Sequence, residues 1–509
     1  MTPRLFRAVL GVLGVLAAAC ARPEPADLVL RHGAVVTLDA QKPRAEAVAV
    51  ADGRLVAVGT DKDVERWIGP QTRVIDLAGQ MVLPGFQDSH IHLASGGAYL
   101  ADCQVGDFST QAEVLAEIGR FAAAHPELPW IQGGGWQLPV FPQANPHKKL
   151  LDALVPDRPV ALYAADGHSL WANSRALELA HVTKATPDPP NGRIERDPAT
   201  GEPTGTLRES AADLVTRLIP ERTLEERTEG LRRALKLAAA AGITSIQDAS
   251  ATPGELDAYA ALDRSGELTV RVTAALPAEP EKGVAQIPDL VRLRRTYKGR
   301  RLRAETVKLF ADGVIEARTA ALLEPYVGSS GSSANDRGQP NWEPAALDRM
   351  VAALDKEGFQ IHVHAIGDRA VRMTLDAFEK ARAANGPRDA RHQIAHLELI
   401  DPADIPRFQR LGVIANFQSL WAYDDPYIKD LTIPVLGPER SRWLYPIGSV
   451  VETGAVVVGG SDWPVTSLNP LEAIQIGMTR RDPAAGPGPA WLPEQTVGLD
   501  TLLAAYTLR

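Results

Sequence analysis

The stretch Leu83-Pro84-Gly85-Phe86-Gln87-Asp88-Ser89-His90-Ile91-His92 decides how this chain is read. An apolar run that begins at Val82 ends in polar residues and two imidazoles two positions apart. Strand geometry puts both imidazoles on one face, within reach of a single cation. Seven further short apolar runs that end in polar residues follow it, at 244–247, 270–274, 306–310, 360–364, 392–396, 413–416 and 456–460, separated by longer Ala/Leu-rich stretches. Strands alternating with helices predict βα units around a parallel sheet, and eight is the strand number of an α/β barrel. The helices show 3.6-residue periodicity, as in Leu231, Leu235, Ala238 and Ala239 before the Gly242 that stops that helix.

The rest of the chain is organised around this barrel. From about 108 to 220 the sequence is too long for one βα unit, so it predicts a subdomain inserted after the first strand and placed over the barrel mouth. From 27 to 82, short β-branched runs alternate with turn signals, Asp52-Gly53 among them, which predicts a small antiparallel β unit. Two stretches are compositionally flexible: Gly328-Ser329-Ser330-Gly331-Ser332-Ser333, a lid candidate or a solvated loop, and 483–489.

With 509 residues, 45% of them apolar and 23% charged, the chain is neither disordered nor fibrous. Lys plus Arg number 54 against 63 Asp plus Glu, a formal net charge of -9 with no basic run, which excludes nucleic acid as the expected partner. Residues 1–19 carry Arg4 and Arg7 before an apolar run too short to span a bilayer, as in a secretory signal. The run ends in Leu16-Ala17-Ala18-Ala19-Cys20, which resembles the bacterial lipoprotein signal. That resemblance implies lipidation at Cys20, a tether over 20–26, and a membrane-anchored envelope lipoprotein facing the periplasm from the outer membrane. The alternative is an ordinary cleaved signal peptide with a chance cysteine; both imply export. With Cys20 acylated, Cys103 is the remaining thiol and no intrachain disulfide can form.

Four of the 11 histidines, His90, His92, His364 and His396, fall at the C-terminal ends of expected barrel strands, where barrel enzymes place catalytic groups. His-x-His alone is a weak signal, and its added partners make it strong. Further matching stretches are Asp166-Gly167-His168-Ser169-Leu170-Trp171-Ala172-Asn173-Ser174, Gly201-Glu202-Pro203-Thr204-Gly205, Val307-Lys308-Leu309-Phe310-Ala311-Asp312-Gly313, His364-Ala365-Ile366-Gly367-Asp368 and Gly460-Ser461-Asp462-Trp463-Pro464. Together these motifs resemble the amidohydrolase superfamily, in the branch of the N-substituted formamide deformylases and related metal-dependent hydrolases.

The resemblance implies a distorted (β/α)8 TIM-like barrel over 83–509, beside a small β-sandwich unit at 27–82, and one or two divalent metal ions, usually zinc. It implies that His90 and His92 hold the first metal and His364 and His396 the second. Asp462 would contact the first metal and act as the catalytic base. Lys308 would bridge both metals as a carbamate, because only reaction with carbon dioxide turns a repelling ammonium into an anionic oxygen donor. The rival reading of Lys308 is an ordinary lysine paired with Asp312 beside a single metal. His362, two residues before His364, competes for ligation. Trp136, Asp166 and His168 in the insertion are substrate contacts or a buried polar cluster. Arg318 polarises or binds a substrate carbonyl or carboxylate, or is a solvated loop residue.

The family continues beyond the last barrel helix into strands that complete the β-sandwich, whereas this sequence stops at Arg509. The small unit is therefore expected to have an unpaired edge. The expected function is metal-dependent hydrolysis of a non-peptide carbon–nitrogen bond in a small-molecule amide, N-acyl or N-formyl amine. A lactonase or esterase of the same fold, and a non-catalytic envelope lipoprotein, are the alternatives; self-association into a homo-oligomer is left open.

Overall fold

The computed structural model describes residues 24–328 and 335–508. The signal segment, Cys20 and most of the Gly/Ser stretch lie outside them. Among the described residues no helix is long and apolar enough to cross a membrane. The chain divides into two units at Pro84/Gly85.

The first unit holds two small sheets. Leu28–Arg31 is central to one, paired antiparallel with Ala47–Ala51 and parallel with Arg73–Asp76. The Asp52-Gly53 turn joins Ala47–Ala51 to its antiparallel neighbour Arg54–Gly59, as the dipeptide predicts. The expected wholly antiparallel unit is thus corrected to a mixed one. The cause is the crossover at 60–72, where Thr60 and Asp63 form a capping box that starts the helix Asp61–Glu65 and returns the chain in the direction of Leu28–Arg31. The outer strands of this sheet are Arg54–Gly59 and Arg73–Asp76.

The second unit is built on eight strands, β1 (Phe86–Ile91), β2 (Ile243–Asp248), β3 (Arg271–Pro277), β4 (Leu302–Phe310), β5 (Gln360–Ala365), β6 (Gln393–His396), β7 (Ile414–Phe417) and β8 (Val457–Gly459). They neighbour one another in sequence order and every pairing is parallel. All eight coincide with runs read from the sequence. Between β8 and β1 the barrel is closed by bonds at and beyond the strand ends: Ser89 Oγ donates to the Gly459 carbonyl at 2.5 Å and Asp462 N to the His90 carbonyl at 2.7 Å. Asp88, buried, accepts from both His90 N and Ser461 N at 3.1 Å, tying the two metal-motif segments to one carboxylate. Inside the barrel the filling is partly amide. Gln247 donates to Thr306 and Gln360, Gln393 to Gln247, and Asn416 to Gln393, so these buried polar groups satisfy one another.

The insertion begins at Cys103–Gln104, somewhat earlier than expected, and forms a six-stranded sheet that ends with Pro203–Glu209. Alternate residues feed two separate cores. Leu162 and Trp171 face one, Ala161 and Leu170 the other, so both faces of this sheet are covered. The insertion reaches the loops at the C-terminal end of the barrel. Arg193 donates to the Ala317 carbonyl at 3.1 Å, and Tyr427, in the loop after β7, donates to Gln137 Oε1 at 2.9 Å.

Helix α1 (Leu93–Tyr99), which follows the His-x-His segment, crosses α2 (Leu224–Ala240) at Gly97 and Gly230. A Cβ on either residue would overlap the other's backbone. Gly97→Ala should therefore push α1 away and cost about 1–3 kcal/mol through overpacking. Thermal denaturation of Gly97→Ala beside the native protein checks this, and an unchanged Tm contradicts the backbone contact.

Candidate metal centre

The site is built where the strand ends converge. Because side chains alternate along a strand, His90 and His92 share a face, as do His362 and His364 on β5. Register sets depth: Lys308 on β4 pairs with His362, Phe310 with His364, and Ala365 with His396. Lys308 and His362 therefore lie one level deeper than His364.

Three ligand-type atoms, from His90, His396 and Asp462, lie within 4.8 Å of one another. Asp462 Oδ1 is 3.4 Å from His90 Nε2 and 3.2 Å from His92 Nε2, and Asp462 Oδ2 is 3.8 Å from His396 Nδ1. The imidazoles form a row, with ring centroids 4.6 Å apart from His90 to His396, 4.5 Å from His396 to His364, and 5.1 Å from His364 to His168. His90 Nε2, His396 Nδ1, Asp462 Oδ1 and Lys308 Nζ are all buried without a hydrogen-bond partner. Convergent orphaned donors of the N/O type are what a divalent cation requires, so these residues fit a metal.

Burial sets the electrostatics. It holds the imidazoles of His90, His364 and His396 well below their usual range, which keeps their lone pairs free for ligation. Burial likewise brings Lys308 down to about 7, against the opposing pull of Asp462. For Asp462 burial acts upward, but the His92 imidazole 3.2 Å away, with His396 and Lys308, carries it below the usual carboxylate value. The backbone is unusual here too. His396 and Asp462 adopt φ of +77° and +54°, and Glu209 has φ +48° and ψ -132°. Each such conformation in a residue other than glycine costs roughly 1–3 kcal/mol and persists where surrounding structure enforces it.

The structure groups the residues somewhat differently from the sequence reading. His396 stands with His90 and Asp462 as well as beside His364, so the two expected histidine pairs merge into one compact cluster. His364 Nε2 donates to the Gly313 carbonyl at 3.0 Å, leaving Nδ1 as its lone-pair nitrogen. His362 shares a 2.8 Å hydrogen bond with His90 Nδ1, the pattern of a group that fixes a ligand's tautomer. Lys308 makes no ion pair with Asp312. That carboxylate accepts from Ala321 N, Ile366 N and Gly367 N at 2.9–3.0 Å and fixes the loops around His364.

Of the insertion residues, His168 reaches the row and Trp136 does not. Trp136 is fully buried in the insertion's own core, its Nε1 donating to the Leu162 carbonyl at 2.8 Å and its ring against Phe141 and Trp171. The expected substrate contact there is corrected to a core residue. Asp166 accepts from His168 N at 2.9 Å through Oδ1, and its Oδ2 is buried without a partner. Arg318 lies 3.5 Å from Asp336 and over the Tyr326 ring, outside the imidazole row. Glu209, which the sequence reading missed, accepts from His168 Nδ1 at 2.8 Å. Burial opposes charge on His168, but Glu209 and then Asp166 outweigh it and raise that imidazole to about 9. Trp421, after β7, stacks on His396 with ring planes 3° apart and forms an apolar wall.

An eight-stranded parallel barrel with an imidazole–carboxylate cluster at its C-terminal end is the architecture of a metal-dependent hydrolase. Residues 73–509 match the amidohydrolase family, and the chain belongs to it. It is 34% identical over 494 residues to the protein LONG AFTER FAR-RED 3 of Arabidopsis thaliana, spanning 95% of this chain and 82% of that one. It is 27% identical over 501 residues to the N-substituted formamide deformylase of Arthrobacter pascens, spanning 95% and 88%. An uncharacterized metal-dependent hydrolase of Pyrococcus horikoshii OT3 superposes with a TM-score of 0.71 at 25% identity, covering 94% of this chain and 91% of its own. The protein is accordingly a hydrolase whose fold implies a divalent metal.

Proposed function

We propose that this protein hydrolyses non-peptide carbon–nitrogen bonds in amides, N-formyl amines or other N-acyl amines, using one or two zinc ions. The observation that carries this is the convergence of His90, His92, His396 and Asp462 beside the wholly buried, unpartnered amine of Lys308. Similarity to an N-substituted formamide deformylase supports the choice of bond. His90, His92 and Asp462 would hold one ion, and His364 and His396 the other. The bound metal supplies Lewis acidity, which polarises a carbonyl and acidifies water.

The protein's own groups do the rest. Asp462, fixed by its backbone bond to His90, accepts a proton from the attacking water and returns it to the departing nitrogen. His362 keeps His90 turned so that its Nε2 faces Asp462. Trp421 and Phe310 shield the row from bulk water. Lys308, with no acceptor to stabilise an ammonium, is suited to attack carbon dioxide through its lone pair, forming an N–C bond and releasing a proton. The resulting carbamate would share one negative charge over two oxygens where neutral imidazoles leave cationic charge uncompensated.

The bond assignment is tested on the metal-loaded protein with formyl, acetyl and longer N-acyl amines beside the matching esters. Turnover of at least one amide is expected, and hydrolysis confined to esters or lactones overturns it. The bridging role of Lys308 is read from the metal-to-protein ratio of Lys308→Ala and from the native mass of the unmutated protein. Loss of at least one ion with collapse of turnover, and one added carbon dioxide on the native mass, are expected. An unchanged ratio near two contradicts the bridge, and an unchanged ratio near one favours a mononuclear site.

A further inference from the structure

His168 and Glu209 form a unit that the metal cluster does not explain. They lie in the insertion, yet each is tied to the barrel's active end. The His168 ring is 5.1 Å from that of His364. Its Nδ1 donates to Glu209 Oε2 at 2.8 Å, which fixes the ring, and its Nε2 has no hydrogen-bond partner among the described residues. The other carboxylate oxygen, Glu209 Oε1, accepts from Thr319 Oγ1 at 2.7 Å, in the loop that follows β4. Thr319 in turn accepts from Val314 N at 2.9 Å.

The seat for Glu209 exists because residue 313 is glycine: a Cβ there would overlap both Glu209 Oε1 and Thr319 Oγ1. The carbonyl of that same Gly313 accepts from His364 Nε2. Glu209 occupies its seat in a strained conformation at the end of its strand, with φ +48° and ψ -132°. A core glutamate has no need of that geometry. Strain held at the junction of two parts of a site is the mark of a functional constraint.

We propose that His168 is a catalytic residue supplied by the insertion, meeting the scissile amide of the substrate through Nε2, and that Glu209 is the positioning residue that aims it. The proposal rests on the hydrolase reading given above and deepens it: the insertion is part of the active site. The carbonyl-bearing group held by His168 lies along the imidazole row, beyond His364. Asp166, which accepts from the His168 backbone, steadies the turn that presents the ring. Thr319 and Gly313 make the aim depend on the β4 loop.

The test uses the metal-loaded full chain and three variants, His168→Ala, Glu209→Gln and Gly313→Ala, with Thr319→Val as a milder fourth in case any of these fails to fold. N-formylaniline is the amide probe and phenyl formate the ester probe. His168→Ala should retain its metal and lose kcat by about 100-fold with a smaller change in KM, the size seen when one donor to a reacting carbonyl is removed. Added imidazole should restore part of that loss, which it would not do for a structural defect. Glu209→Gln and Gly313→Ala should lose about 10-fold, and Thr319→Val less, all without loss of metal.

If the carbon–nitrogen reading alone fails, N-formylaniline is inert and the same ratios are read on phenyl formate. If both probes are inert, calorimetry of acetohydroxamate binding replaces turnover. At least tenfold weaker binding by His168→Ala then supports the assignment. Overturning results are a His168→Ala variant within threefold of the native protein in kcat or, where calorimetry applies, in affinity. A loss explained wholly by departed metal, or one that imidazole leaves untouched, also overturns it.

Discussion

Packing lone-pair nitrogens against one another inside a barrel is the constraint on which this structure depends. His90, His362, His364 and His396 are each almost wholly buried, and Lys308 lies among them with an amine that meets no acceptor. In an apolar interior each of these groups costs free energy unless it finds a partner, and burial drives all of them toward their neutral forms. Neutral imidazoles neither repel nor attract strongly, so the row survives. The carboxylate of Asp462 stands at one end of it, placed against His90 and His92. A divalent cation answers the whole arrangement at once, since it meets several orphaned lone pairs and balances the carboxylate. The strained backbones of His396 and Asp462 show how tightly the surrounding barrel specifies the geometry.

Much of this was legible in the sequence, for a physical reason. A buried parallel strand is a short apolar run, and a barrel enzyme's chemistry must emerge where that run ends. His90, His92, His364 and His396 could be picked out by that rule, as could the eight strands, whereas Lys308 and Asp462 were named only by the resemblance to the amidohydrolases. Alternation gives the face of a side chain but not its depth, so His362 and His364 could not be ranked by spacing. Pairing of His362 with Lys308 across the sheet separates them. Trp136 was misplaced because an aromatic beside a glycine-rich strand looks the same whether it faces a ligand or a private core. Glu209 was invisible: its role arises from contacts 41 residues away with His168 and 110 away with Thr319. The mixed pairing of the small unit was likewise hidden, because direction depends on the crossover at 60–72.

The insertion changes how the barrel works. Its sheet has an apolar core on each face, and it brings His168 and Glu209 to the barrel's active end on strand ends. Gln137, Arg193 and Glu209 fasten it to the loops after β7 and β4, the same loops that carry Trp421 and Gly313. Sites held on strand ends rather than on free loops keep their donors in place before substrate arrives, which is the condition for effective electrostatic catalysis.

The buried imidazole row, with Asp462 and Lys308, is suited to hold metal. Elemental analysis of the purified full chain, beside a His90→Ala, His92→Ala double variant whose folding is confirmed by circular dichroism, tests it most directly. One to two zinc ions per native chain and the loss of at least one in the variant are expected. A folded variant with undiminished metal content, or a native protein that takes up no divalent metal from zinc-supplemented buffer, would contradict it.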